Sequence, residues 1–208
     1  VILGYSDMLS RWGREDKNIL DEGITAIRSE AENMQQLIEK LLFLARADQK
    51  RQAVNKEAVE FSELLADTME KMQTVTTSHE VTLGRNDHAV VSADPVLLRQ
   101  LLRIFLENSV KYTPPGGHIH AYSILSDDGK TITVTLTDNG IGIAPEHQAR
   151  IFDRFYRVDS SRTKETGGSG LGLSIARWIA ERHDIKIALR SAVDEGTTIT
   201  LSIPTITE

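Results

Sequence analysis

Cysteine is absent from the 208 residues, which excludes disulfide frameworks, thiolate metal centres and cysteine nucleophiles and fits a reducing compartment. No apolar run approaches the ~18 residues of a membrane span, and nothing has the layout of a signal peptide. Positive charge is also short: 24 Lys+Arg stand against 30 Asp+Glu, a formal net charge of -6. No global positive field is available to hold nucleic acid or an anionic bilayer, so neither is expected as a partner. Internal repeats and low-complexity tracts are lacking. What remains is ordinary globular material, 40% hydrophobic and 26% charged, enough for one or two domains with a core. The cytoplasm is the expected compartment. The chain begins mid-pattern at Val1-Ile2-Leu3-Gly4-Tyr5, so any membrane anchor of an intact protein is expected upstream.

Residues 17 to about 48 read as one long helix, with apolar or small side chains at Ile27, Ala31, Met34, Ile38, Leu41 and Ala45 in alternating four- and three-residue steps. That is the spacing of a coiled-coil seam. Ile2, Tyr5 and Leu9 mark a preceding helix, and Gly13 with its polar neighbours marks the turn between them. The seam points to a second copy; an ordinary buried helix is the alternative, although the seam is longer than one small domain usually covers. Polar residues then dominate, and a linker is expected at 49–54 between a helical segment, 1–48, and a second domain, 55–208.

The second domain mixes short strands (near 54–60, 80–84 and 89–93) with a helix from Ser62 to about Thr77. Asp94-Pro95 supplies an N-cap and a first-turn proline for a helix to about Tyr112, which Pro114-Pro115-Gly116-Gly117 stops. Strands at His118–Leu125 and Thr131–Asp138, a helix from about Leu171 to Arg182, and strands near 185–192 and 197–203 complete it. Hairpins outnumber βαβ units. The fold class is therefore α+β: a two-layer α/β sandwich with a mixed sheet covered on one face by helices, preceded by an α-helical hairpin fragment.

Chemistry is expected where these patterns break. Leu97, Leu101, Ile104, Asn108 and Lys111 share one helical stripe that is apolar and then turns polar. A ligand could partner the buried amide and ammonium; alternatively Asn108 caps a loop and Lys111 snorkels. Ile132, Val134, Leu136 and Asp138 alternate onto one strand face, so an acid takes the next core position. Asn139-Gly140-Ile141-Gly142-Ile143 follows at once, either as a close-approach loop beside an inward carboxylate or as a plain turn. Gly167-Gly168-Ser169-Gly170-Leu171-Gly172-Leu173 runs straight into a helix, where backbone N–H groups and the helix dipole can hold phosphate; a flexible hinge is the bland reading. It is neither a P-loop nor a dinucleotide fingerprint. Between these lie Phe152, Phe155 and Tyr156, then Arg157, Arg162 and Lys164, the composition of a basic segment anchored by aromatics, or of core aromatics followed by a solvated loop.

The order and spacing of these segments resemble the nucleotide-binding boxes of sensor histidine kinases, within the wider fold shared with DNA gyrase, the Hsp90 chaperones and MutL proteins. Glu107-Asn108-Ser109-Val110-Lys111-Tyr112-Thr113-Pro114 resembles the asparagine box. Asp138-Asn139-Gly140-Ile141-Gly142-Ile143 resembles the first glycine box, Ile151-Phe152-Asp153-Arg154-Phe155-Tyr156-Arg157 the phenylalanine box, and Gly168-Ser169-Gly170-Leu171-Gly172-Leu173 the second glycine box. Residues 1–48 look like the end of the first helix and the whole second helix of the dimerisation and phosphotransfer hairpin.

The resemblance implies ATP or ADP with Mg2+ as ligands. It implies Asn108 as the Mg2+ ligand, Lys111 and Arg157 against phosphate, and Asp138 as acceptor from the adenine amino group. Tyr112, Gly140, Gly142, Ile143 and Phe155 would shape the pocket, and Gly168, Gly170, Leu171 and Gly172 would offer backbone to the phosphates. Implied partners are a second kinase subunit and the receiver domain of a response regulator. The implied activity is transfer of the γ-phosphoryl group to a histidine, with little covalent work by this domain.

Two positions depart from the family pattern. Ile104 stands where an asparagine is usual, and where ATP-hydrolysing relatives carry a glutamate that activates water, which argues against a hydrolase. The phosphoacceptor motif should precede Val1, so this chain alone should not autophosphorylate. His79 is a decoy without the expected proline, and His118 with His120 is a metal pair lacking further ligands. A non-catalytic docking module with a vestigial pocket is the remaining alternative.

Overall fold

The computed structural model describes residues 1–12, 16–158 and 168–206. The turn at Gly13, and Arg162, Lys164 and Gly167 of the basic glycine-bounded segment, lie outside the described residues. The chain divides into two compact units, Val1–Arg51 and Gln52–Glu208.

The first unit is a helix pair, α1 (Ile2–Trp12) and α2 (Lys17–Asp48). Asp16 caps α2, its side chain accepting from the Asn18 N–H at 2.8 Å and so satisfying one of the orphan donors of the first turn. The helices meet where Leu9 lies over Gly23: a Cβ at position 23 would stand 2.6 Å from a Leu9 methyl. The α2 seam is apolar and exposed on this chain, with Met34, Ile38 and Leu41 at 50%, 54% and 40% exposure.

The second unit contains β1 (Glu57–Glu60), α3 (Phe61–Val75), β2 (Glu80–Asn86), β3 (Val90–Ala93), α4 (Pro95–Tyr112), β4 (His118–Leu125), β5 (Thr131–Asp138), α5 (Pro145–Gln148), α6 (Gly172–Arg182), β6 (Lys186–Ala192) and β7 (Gly196–Pro204). Five strands form one sheet in the order β2-β4-β5-β7-β6. β2 runs parallel to β4 and every other neighbouring pair is antiparallel, so the sheet is mixed. β1 and β3 form a separate antiparallel ribbon, a division that local pattern does not reveal. β1 starts at Glu57 rather than near residue 54, because the Asn55 N–H is spent on Asp94 Oδ2 at 3.0 Å instead of on a ladder.

Alternation sets the layers. Ile119 and Ala121 on β4, Ile132, Val134 and Leu136 on β5, and Leu201 and Ile203 on β7 are buried toward the helices. On the opposite face Thr131, Thr133, Thr137, Thr198, Thr200 and Ser202 are partly exposed. The core closes through Phe61, Leu65 and Met69 of α3, Leu98, Leu101, Leu102 and Leu106 of α4, and Ile175 and Ile179 of α6, all almost fully buried. Truncating any one of these large side chains to alanine is worth about 2–5 kcal/mol of stability. Asp94 fixes the start of α4, its Oδ1 accepting from the Val96 and Leu97 N–H groups at 3.1 Å each, with Pro95 in the first turn.

Candidate nucleotide site

The helical period of α4 carries Leu97, Leu101 and Ile104 into the core and then brings Asn108 and Lys111 to half-buried positions at its C-terminal end. The strand period of β5 similarly delivers Asp138 inward, at 7% exposure. The two elements are joined by one side-chain bond: Ser109 Oγ donates to Asp138 Oδ2 at 2.8 Å. The other carboxylate oxygen, Oδ1, accepts from the Gly140 N–H at 3.0 Å and the Thr197 N–H at 3.2 Å. Burial raises the Asp138 pKa above the ordinary aspartate value, while the bonds from Ser109, Gly140 and Thr197 oppose that rise. The acid is thus held in a fixed plane with part of Oδ2 uncommitted.

The segment after Asp138 is folded tightly against its neighbours. The Ile141 N–H donates to the Tyr112 carbonyl at 3.1 Å, and the Asp194 N–H returns to the Ile141 carbonyl at 2.9 Å. Gly142 has φ +67, and a Cβ there would overlap the Ala192 carbonyl oxygen, so only glycine fits. Ile143 is held through its backbone, its N–H donating to Ser191 Oγ at 2.8 Å and its carbonyl accepting from Gln148 Nε2 at 2.8 Å. Asp138-Asn139-Gly140 is therefore a close-approach loop beside an inward carboxylate.

Positive charge gathers at the C-terminal end of α4. Lys111 Nζ lies 5.0 Å from the Tyr112 ring centroid, and a Cβ on Gly168 would stand 2.5 Å from the same nitrogen. Arg157 Nη1 donates to the Gly168 carbonyl at 2.5 Å. Lys111 has a lowered pKa, from burial first and then from the Arg157 charge nearby. The two cations thus converge on Gly168, close enough for the Arg157 charge to disfavour the charged form of Lys111. Tyr112 is shifted the other way: burial raises its pKa and Arg157 opposes.

Gly168, Ser169 and Gly170 lead into α6, whose cap residue Leu171 is fully buried and supplies no side-chain bond to the first-turn N–H groups. Gly170 has φ +68, and a Cβ would stand 2.9 Å from the Phe155 backbone. The Phe155 N–H donates to the Gly170 carbonyl at 2.9 Å, which joins the phenylalanine and glycine segments. Ser169 Oγ is buried without a hydrogen-bond partner among the described residues. Gly172 opens α6 beside Ile104, a Cβ there falling 3.5 Å from Ile104 Cγ2. Ile104 is buried, so the position offers no ligand atom.

The aromatics divide. Tyr156 is anchored, its hydroxyl 2.7 Å from His147 Nδ1 and its ring 4.2 Å from the Arg150 guanidinium. Phe155 is 62% exposed and has φ +62, so it is not the core anchor that its hydrophobicity suggests. His79 Nε2 is bonded to the Thr113 carbonyl at 2.8 Å at the end of α4. His118 Nδ1 pairs with Glu80 at 2.8 Å and His120 Nδ1 with Thr82 Oγ1 at 2.9 Å. Sequence reasoning missed Ser109 and Thr197 as partners of Asp138, and His147 as the anchor of Tyr156.

Comparison with known proteins identifies the family of the domain. The family model described as histidine kinase-, DNA gyrase B- and HSP90-like ATPase matches residues 93–207. Sensor histidine kinase YkoH of Bacillus subtilis is 35% identical over 97% of this chain and 43% of its own length. Sensor histidine kinase WalK of the same organism is 33% identical over 96% of this chain and 33% of its own length. The chain thus spans less than half of these curated relatives. Among solved structures, full-length ShkA in complex with AMPPNP superposes with TM-score 0.77 at 25% identity, over 90% of this chain and 39% of that one. The mycobacterial sensor histidine kinase MprB superposes with TM-score 0.64 at 25% identity, over 74% of this chain and 100% of that one. The segment that the family model matches is more than half of the sequence: the chain belongs to the histidine kinase-, DNA gyrase B- and HSP90-like ATPase family, and sensor histidine kinases are among the proteins it is similar to.

Proposed function

We propose that this domain binds Mg2+·ATP between α4, the loop after β5 and the start of α6, and presents the γ-phosphoryl group to a histidine carried upstream of Val1. The observation that carries the reading is the buried Asp138 carboxylate, held by Ser109, Gly140 and Thr197 with an acceptor position left over. A buried acid costs several kcal/mol unless satisfied, and a ring amino group is the donor that would complete it. Tyr112, Gly140, Gly142 and Ile143 line the adenine side. Lys111 and Arg157 neutralise phosphate charge, while Ser169 and the backbone of Gly168, Gly170, Leu171 and Gly172 cradle phosphate oxygens at the α6 N-terminus. Phe155 borders the same segment.

Among the described residues no cluster of three or more His, Cys, Asp or Glu side chains is arranged to hold a metal. Asn108 is the side chain that would hold Mg2+ from the protein. When bound it supplies charge neutralisation at the phosphates. The chain's own work is orientation: it fixes the purine at Asp138, holds the phosphates between Lys111 and Arg157, and leaves the γ-phosphorus open for in-line attack. A histidine nitrogen forms the new N–P bond as the bond to the β-phosphate oxygen breaks, and ADP leaves. The phosphoryl group then passes to an aspartate of a response-regulator receiver domain.

The exposed α2 seam of Met34, Ile38 and Leu41 supports pairing with a second subunit. No described helix is long and apolar enough to cross a membrane; anchoring of the intact kinase is assigned to a segment upstream, with this domain on the cytoplasmic side.

The test is a longer form of the protein that includes the upstream histidine, incubated with radiolabelled ATP and Mg2+. Acid-labile, base-stable phosphoprotein that disappears in Asn108→Ala supports the kinase reading. Steady release of inorganic phosphate without phosphoprotein would replace it with a hydrolase.

A further inference from the structure

We propose that Ser109 is a positioning residue for base recognition: its hydroxyl holds the Asp138 carboxylate in the plane that offers Oδ2 to the exocyclic amino group of adenine. The inference rests on the nucleotide reading above and concerns a residue of the same site.

An ionised carboxylate has about four acceptor positions. At Asp138 the Gly140 and Thr197 N–H groups fill those of Oδ1, and Ser109 Oγ takes one of the two on Oδ2. Two bonds to a single oxygen leave the group free to swing about it; the bond to the second oxygen fixes the plane. Removing the Ser109 hydroxyl would let Oδ2 turn, and would leave a buried carboxylate with one bond fewer.

Packing does not demand a hydroxyl here. Ser109 is buried at 8% exposure, and alanine would occupy nearly the same volume. The hydroxyl is therefore needed for its donor, and the donor is spent on Asp138. Ser109 also follows Asn108 directly and lies two residues before Lys111 on α4. One 2.8 Å bond thus joins the strand that would read the base to the helix that would hold metal and phosphate.

The test separates recognition of the amino group from general affinity. The chain is titrated with ATP and with purine riboside 5′-triphosphate, which lacks only the 6-amino group, in the presence of Mg2+. Wild type should prefer ATP by about tenfold, the worth of a hydrogen bond to a charged acceptor. In Ser109→Ala that preference should fall to about two- to threefold, with affinity for the purine analogue unchanged. Ser109→Thr, which keeps the hydroxyl, should retain the wild-type preference. An undiminished preference in Ser109→Ala overturns the proposal, as does an equal loss for both nucleotides, which would mark Ser109 as merely structural. Wild type that binds both nucleotides equally would instead overturn the reading of Asp138 on which the proposal stands.

Discussion

His183 Nε2 accepts the backbone N–H of Asp94 at 3.0 Å, joining the end of α6 to the cap of α4 across 89 positions of sequence. The ring's other nitrogen, Nδ1, lies 2.8 Å from the Ile179 carbonyl, so Nδ1 carries the proton and the ring is neutral. At 4% exposure this histidine is a latch between α4 and α6.

The latch makes stability depend on pH. Burial lowers the His183 pKa, the Ile179 bond and the Lys56, Asp94 and Asp184 charges adding smaller effects of mixed sign. Below the unfolded value of about 6.5 the unfolded chain binds a proton that the folded one resists, so stability falls with falling pH until the folded pKa is passed. Thermal melts from pH 8 to pH 5 should show Tm declining below about pH 6.5. His183→Ala should remove much of that decline and cost about 1–3 kcal/mol at pH 8, because the Asp94 N–H is left without an acceptor.

Lys111 should discriminate phosphate from base. Lys111→Met, which keeps the stem and removes the charge, is expected to weaken ATP binding by about tenfold or more while leaving adenosine binding unchanged. Competition titrations of the two ligands measure the difference. Equal losses would show that Lys111 supports the fold rather than the phosphates.

Ile104 tests the line between kinase and hydrolase. Its side chain is buried next to Gly172, so Ile104→Asn should cost the free protein about 1–3 kcal/mol for an unsatisfied amide. If Mg2+ binds near Asn108, that amide gains a ligand, and the thermal shift on adding Mg2+ and ATP should exceed the wild-type shift. The wild-type chain should show no sustained release of inorganic phosphate, since isoleucine cannot act as a base.

Much of this was legible in the sequence wherever the signal was local. Alternation from Ile132 to Leu136 pointed Asp138 inward, and the three- and four-residue steps from Leu97 placed Asn108 and Lys111 together. Asp16 and Asp94 marked helix starts through cap chemistry. What stayed hidden depends on pairing between distant segments. Thr197 reaches Asp138 only because β5 and β7 align those two residues, and Ser109 only because α4 packs on β5. The parallel β2–β4 pair and the separate β1–β3 ribbon are likewise decided by topology. Phe155 misled because its bulk reads as core, whereas its backbone pairs with Gly170 at a positive φ and its ring is exposed.

The most direct test of the account is calorimetric titration of this chain with a non-hydrolysable ATP analogue and Mg2+, alongside Asp138→Asn. The carboxylate form of Asp138 is the acceptor, and burial raises its pKa; wild-type affinity should therefore weaken as pH falls toward that raised value. The account predicts one-to-one binding to wild type, with affinity about tenfold or more lower and this pH dependence lost in Asp138→Asn. Undiminished binding by Asp138→Asn, or no binding by folded wild type, would contradict it.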